Sequence, residues 1–516
     1  MLSIRLVGLM VLALAWASGT EAAWHQAKSK HFIIYADEDP RDLREFAEKL
    51  EKFDSAVRRV RGMPDYPVGD GNRLQVFVTR SDAAVRRLAN DKTGFVRGFY
   101  LPRASGSVAF VPRSSGSGSA WDLDAETVFF HEYAHHLMMQ DLDTPVPEWL
   151  VEGFAEFMST VRFEKDGYVG LGAAPQHRAY GLFQLERLPL EKMLGGAYDK
   201  ISVDERESIY GRGWLLTHYM TFEPTRRGQL AAYLTAIARG TNALEAATSA
   251  FGDLKQLDRD LNNYLKRRRL SYLRVEPSRL TISPIEVSRL SPGAAAVIPL
   301  RMESKRGVND KTDGPLAERI RRVAQQYPGD PLVEATLAEA EFDAENYDAA
   351  EAAADRALRA DPRNTEAMIY KGRAILERAA RSDDPSASSF AEARQHFIAA
   401  NKIDPEDPEP LLLFYNSFSR AGERPTANAI EALHYASNLA PQDLGLRIGS
   451  AVQYLRDGKL PEARRTLVPL AYNPHGGGLA ITAREVIDRI DAGDRRGAET
   501  VANRGPQAEE TETTQP

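Results

Sequence analysis

HEYAHHLMMQDLDTPVPEWLVEGFAEF, residues 131–157, holds three of the chain's ten histidines and four glutamates. His131 and His135 are four residues apart, so on a helix both imidazoles leave one face about a turn apart, where a single small cation can bridge them. Glu132 stands one step round that helix, beside such a cation rather than on it, placed to accept a proton from water. A catalytic zinc site needs a third protein ligand and one open position. Glu152 is the candidate: VPEWLVEGFAEFMST reads as a second helix from about Pro147, and MMQDLDTPV is long enough to bring it back against the first. Glu156, four residues further on, shares its face and can reach a ring nitrogen of a ligating histidine, fixing the tautomer.

HEYAHH followed by PEWLVEGFAEF resembles the gluzincin metallopeptidases, in particular bacterial peptidase MA-like proteins and, more distantly, the zinc aminopeptidases with their W-L-x-E-G-x-A signature. The resemblance implies a zincin-like domain with Zn2+ as cofactor, His131, His135 and Glu152 as its ligands, Glu132 as general base and Glu156 behind a ligand. It also implies a donor that steadies an oxyanion. Tyr210, in ESIYGRGWLLTHYM, is the choice, with His218 of the same segment as the alternative and a plain core role for Tyr210 left open. The His135 to Glu152 interval is shorter than in the aminopeptidases, and no G-A-M-E-N-like segment is present. Endopeptidase action is therefore at least as well supported.

Working outward, GSVAFVP at 106–112 reads as a strand, either an edge that an extended peptide can join or an interior one. His136 faces away from the ligand face, and His25, His31 and His177 read as isolated residues with plain structural roles. KHFIIYAD and RLQVFVTR are strand-like around a helical RDLREFAEKLEKFDSAVRRVRG, which gives a mixed α/β start. SSGSGSA at 114–120 reads as a loop, and the pattern is helical from Asp124 to about Arg269.

At 516 residues the chain exceeds one ordinary core. Its 66 basic and 73 acidic residues, net −7, lack the basic stripe that nucleic acid requires. With no cysteine there is no disulfide and no thiolate ligand, so any metal is held by nitrogen and oxygen. Residues 1–22 have one cation, Arg5, then an apolar run and small residues, the layout of a cleavable signal peptide, so a periplasmic or secreted protein without a later membrane span is expected.

Downstream, Pro328, Pro362, Pro405, Pro441 and Pro474 fall 34, 43, 36 and 33 residues apart, each closing a helical segment. That is close to the tetratricopeptide period, in which helix pairs bury their apolar faces on their neighbours. NYDAAEAAADRALRADPRN, FAEARQHFIAANKIDPEDPEP and KLPEARRTLVPLAYNPHG resemble the closing halves of such repeats, with RSDDPSASS as an inserted loop. The expected fold class is α+β: a small mixed α/β part and a helical metallopeptidase domain at 23–269, a strand-containing linker at 270–302, an all-α repeat domain at 303–491 and a disordered tail at 492–516. The repeats imply a concave surface for a peptide substrate or protein partner. Two readings compete with a peptidase: a catalytically silent scaffold whose repeats bind protein, and zinc-dependent hydrolysis of another bond.

Overall fold

Three nearly continuous apolar runs, FIIYA, LQVFVT and VAFVP, are buried on both faces and form the centre of a sheet. The computed structural model describes residues 23–504 apart from 93, 95, 114–122, 143, 185–187, 197–200, 384–385 and 474–475. The expected signal segment, the loop at 114–120 and Pro474 lie outside the described residues, as do two residues of the inserted loop and the last twelve of the expected tail.

The N-terminal elements are β1 (His25–Lys28), β2 (Phe32–Ala36), α1 (Pro40–Arg61), β3 (Leu74–Thr79), α2 (Asp82–Ala89), β4 (Phe99–Leu101), β5 (Val108–Pro112), α3 (Ala125–Asp141), α4 (Glu148–Ser159), β6 (Arg162–Phe163) and β7 (Val169–Leu171). There follow α5 (Ala179–Phe183), α6 (Leu190–Gly195), α7 (Val203–Phe222), α8 (Gln229–Ala238), α9 (Ala243–Phe251), α10 (Leu254–Leu265), β8 (Leu273–Val275) and β9 (Glu286–Arg289). Strands run in the order β4-β5-β3-β2-β1-β9, with β2, β3 and β5 parallel; β6, β7 and β8 make a second, antiparallel sheet. GSVAFVP thus supplies an interior strand, and the edges are β4 beside it and β9 at the far side.

Side chains alternate across the main sheet. Phe32, Ile34, Val76, Val78, Ala109 and Val111 pack under α1 and α3. From the opposite face, Tyr35, Phe77, Phe110 and Phe99 form a ladder of rings 5.3, 5.4 and 4.8 Å apart. That second face is closed by the C-terminal half, through Ile298 and Met302.

The described C-terminal half is a row of six helical hairpins, in keeping with the proline period. They are α11 (Pro292–Arg306) with α12 (Asp313–Gln326), α13 (Pro331–Asp343) with α14 (Tyr347–Ala360), and α15 (Thr365–Ala380) with α16 (Ala387–Ile403). The remaining pairs are α17 (Pro408–Arg420) with α18 (Ala427–Leu439), α19 (Leu444–Arg456) with α20 (Leu460–Ala471), and α21 (Gly477–Asp491) with α22 (Arg495–Arg504). Asp330, Asn364, Asp407 and Asp443 each cap the helix that follows through the side chain, so the repeated turn both stops one hairpin and starts the next.

Two boundaries differ from expectation. The strand-containing linker at 270–302 is part of both halves: β9 pairs with β1 as a sheet edge, and α11 already begins at Pro292, where Ser291 caps it and proline at the first position costs no hydrogen bond. The tail expected from 492 is helical to Arg504, because Ala498, Val501 and Ala502 form a small buried stripe that low overall apolarity conceals. No described helix is long and apolar enough to cross a membrane.

His31 is also more than an isolated residue. It is buried, with Nδ1 2.8 Å from Glu51 and Nε2 3.0 Å from Asp65, while Asp54 carries the Arg58 guanidinium and accepts from Tyr133. Burial opposes its charge, but Asp54, Asp65 and Glu51 outweigh burial and raise its pKa to about 9. The folded value lies above the unfolded one of about 6.5, so the contribution is complete below that pH and is lost as pH rises through about 9. Thermal melts should show up to about 3 kcal/mol of stability disappearing between those pH values, and a flatter profile for His31→Gln. Equal slopes would refute the assignment.

Candidate metal centre

Asp124 starts α3 by accepting the Thr127 N–H at 2.7 Å, and the helix then runs unbroken through His131 and His135. α4 packs beside it and brings in Glu152, 2 % exposed. The three ligand atoms converge: His131 Nε2 is 3.2 Å from Glu152 Oε2 and 3.1 Å from His135 Nε2, and His135 Nε2 is 3.5 Å from Glu152 Oε2. Among the described residues this trio is the one group of three or more such side chains that can hold a metal ion. Tetrahedral zinc with bonds of about 2.0–2.2 Å places neighbouring donors about 3.3–3.6 Å apart, and each observed separation falls within about 0.2 Å of that window. The residues fit the ion.

Behind the trio, His131 Nδ1 lies 3.3 Å from Glu156 Oε1. Glu156 is 1 % exposed and is held by His177 Nε2 at 3.1 Å and by the Arg178 guanidinium at 2.6 Å, which also reaches Glu207 at 2.6 Å. Burial opposes charge on Glu156, yet Arg178, His131 and His177 keep its carboxyl well below the usual range. For His131, burial is likewise outweighed by Glu152 and Glu156, which raise its pKa to about 10. A Glu156 carboxylate is placed to accept from Nδ1–H, and a cation at Nε2 would replace the second proton that the two glutamates otherwise favour on the ring. His177, expected to have a plain role, therefore belongs to this centre, and Arg178 joins it. Both come from the short turn Gln176–Arg178 just before α5, which has no periodic pattern to read.

Tyr210 on α7 belongs to the same cluster: its ring is 6.0 Å from His131's, with the Arg178 guanidinium over it at 4.7 Å. Burial, then the charge of Glu152, raises its pKa, with Glu132 adding to the effect, so the phenol is a neutral donor. His218 does not fit the donor role. It is fully buried, its Nε2 is 2.7 Å from the Ser271 carbonyl and its Nδ1 2.9 Å from Tyr264 Oη, so both nitrogens are engaged in the core.

Glu132 is half-buried on α3, and its charge acts on Tyr100 of β4 as well as on Tyr210. It thus lies in the field between the edge strand and α7. His136 points away from the trio, as expected, to Tyr100 Oη at 2.8 Å and Gln140 Nε2 at 3.0 Å; burial lowers its pKa to about 3 and keeps it neutral.

No protein-family model and no curated protein matches this chain. Solved structures similar to it include a thermophilic TPR protein from Thermus thermophilus, 19% identical over 33% of this chain and 89% of that one, with a TM-score of 0.29. The MamA RS-1 ArsTM double mutant is 17% identical over 35% of this chain and 93% of its own, with a TM-score of 0.26. MamA 41-end from Desulfovibrio magneticus RS-1 is 17% identical over 34% and 92%, also at 0.26.

Proposed function

We propose that this chain is an exported zinc-dependent peptidase whose repeats recruit substrate or a protein partner. The observation that carries the reading is the convergence of His131 Nε2, His135 Nε2 and Glu152 Oε2 to separations of 3.1–3.5 Å on two adjacent helices. Held by His131, His135 and Glu152, zinc would supply a Lewis acid that polarises a carbonyl and renders water more acidic.

The chain's own residues do the rest. Glu132 takes the proton of the attacking water and returns it to the leaving amine, so one carboxylate serves as base and then acid. Tyr210, neutral, donates to the oxyanion without being ionised. Glu156, gripped by Arg178 and His177, orients His131. An extended peptide can add to the edge strand β4, whose Tyr100 lies in the field of Glu132.

Part of the first hairpin is already committed, since α11 packs on the sheet through Ile298 and Met302. What remains open includes a cleft of about 340 Å³ lined by Arg103, Lys305, Glu339, Asp343, Tyr370 and Arg373, with charges of both signs suited to a polar peptide segment. The signal-like pattern of residues 1–22, one cation followed by an apolar run and small residues, supports a periplasmic or secreted location.

Metal analysis by mass spectrometry on the purified protein tests this. About one zinc per chain is expected, and none in His131→Ala. A chain that takes up no zinc even when it is supplied would end the peptidase reading and leave a repeat-based binding protein.

A further inference from the structure

The turn between α18 and α19 and the first turn of α19 sit against the part of the molecule that carries the candidate ligands through three side chains, Gln442, Asp443 and Arg447. Arg447 is 8% exposed, and the acceptors of its guanidinium are backbone carbonyls: Pro441, Thr466 at 3.2 Å and, from the other half of the chain, Met139 at 3.1 Å. Met139 lies in the last turn of α3, where carbonyls have no partner within the helix and a cation complements the dipole. His135 stands one turn before it.

Gln442 donates to Ser107 Oγ at 3.2 Å, and Asp443 accepts the Ala104 N–H at 2.8 Å, so the same turn holds the connection between β4 and β5. From Ser107 a chain of hydrogen bonds leads back to α3. Arg58 donates to Gln140 Oε1, fixing that amide; Gln140 then donates to His136 Nε2, His136 Nδ1–H to Tyr100, and the Tyr100 hydroxyl to Ser107. Each proton has one place to go.

We infer that the segment Pro441–Arg447, the turn before α19 together with the start of that helix, is a clamp by which the repeat array sets the position of α3 and its ligands, with Arg447 the positioning residue. The inference rests on the peptidase reading for its consequence, since a shift of α3 moves His131 and His135 relative to Glu152. It makes the array part of the site's support as well as a recruiting surface. Whatever displaces the turn alters the metal site.

The test uses the full chain, with zinc affinity measured by chelator competition and hydrogen exchange measured at 137–142. Arg447→Ala should weaken zinc about tenfold, the low end for loss of an outer-shell support, and should speed exchange at the end of α3. Arg447→Lys, with one ammonium for three carbonyls, should fall between, which also covers the case in which the alanine variant does not fold. Phe397→Leu, a core change in α16 away from the turn, should lower the melting temperature with zinc affinity unchanged. Wild-type zinc affinity and exchange in Arg447→Lys would overturn the clamp, as would a tenfold loss in Phe397→Leu. If the wild type binds no zinc, the peptidase reading fails alone, and the exchange at 137–142 still decides the clamp.

Discussion

Glu132→Gln is expected to purify with about one zinc per chain and to hydrolyse peptides at least ~10³-fold more slowly than the wild type. Glutamine keeps the shape and the hydrogen-bonding reach of glutamate but cannot accept the proton that must leave the attacking water. The metal should stay, because the three converging donors are His131, His135 and Glu152, and Glu132 projects one step round α3 from them. The loss should fall on kcat, with KM near the wild-type value, since a base acts in the transition state more than in substrate binding. His135→Ala provides the contrast: it removes a ligand, so metal and activity should vanish together. Metal loss from Glu132→Gln would show that this carboxylate is a ligand, and retained turnover would show that another group is the base.

The centre was legible in so far as a period fixes it. Four-residue spacing puts His131 with His135 and Glu152 with Glu156, and once two helices pack the four must meet. His177 and Arg178 were not legible, because a turn has no period and nothing in PQHRAY says which carboxylate lies across from it. His218 misled for the opposite reason: α7 places it on a helix near Tyr210, but rotation about that helix carries it into the core against Trp214 and Phe222. The layer over the second face of the sheet had a signal. VAFVP and FIIYA do not alternate with polar residues, and strands apolar on both sides need a cover on both sides. Read in that way, they place GSVAFVP inside the sheet and require a partner such as α11. The proline period identified the repeats because the turns at Pro328, Pro362, Pro405 and Pro441 also carry the cap of the next helix, whereas the alanine stripe of α22 is too weakly apolar to stand out.

Gly153→Ala, in the E-G-x-A-E segment, is expected to destabilise the protein by about 2 kcal/mol or more and to cost it zinc. In an open helix the same change stabilises by up to about 1 kcal/mol, because alanine is the better helix former. Here a Cβ would stand 2.4 Å from the carbonyl carbon and oxygen of Gly213 and 2.8 Å from Thr217 Oγ1. The reciprocal position is as tight, with a Cβ on Gly213 only 2.5 Å from the Trp149 carbonyl. α4 and α7 therefore cross backbone to backbone, and neither atom can swing aside as a flexible side chain would. Alanine must push the helices apart, and Glu152 and Glu156 ride on α4 on either side of that crossing while Tyr210 rides on α7. A displacement of even a few tenths of an ångström is felt by donors that need a fixed separation to share one ion. Gly449→Ala in α19, where an added Cβ meets nothing within 4 Å, is the control and should be neutral or slightly stabilising. Thermal melting and zinc titration of the two variants decide the matter. A Gly153→Ala protein as stable and as zinc-replete as the wild type would mean that the close crossing of α4 and α7 does not hold the ligands in place.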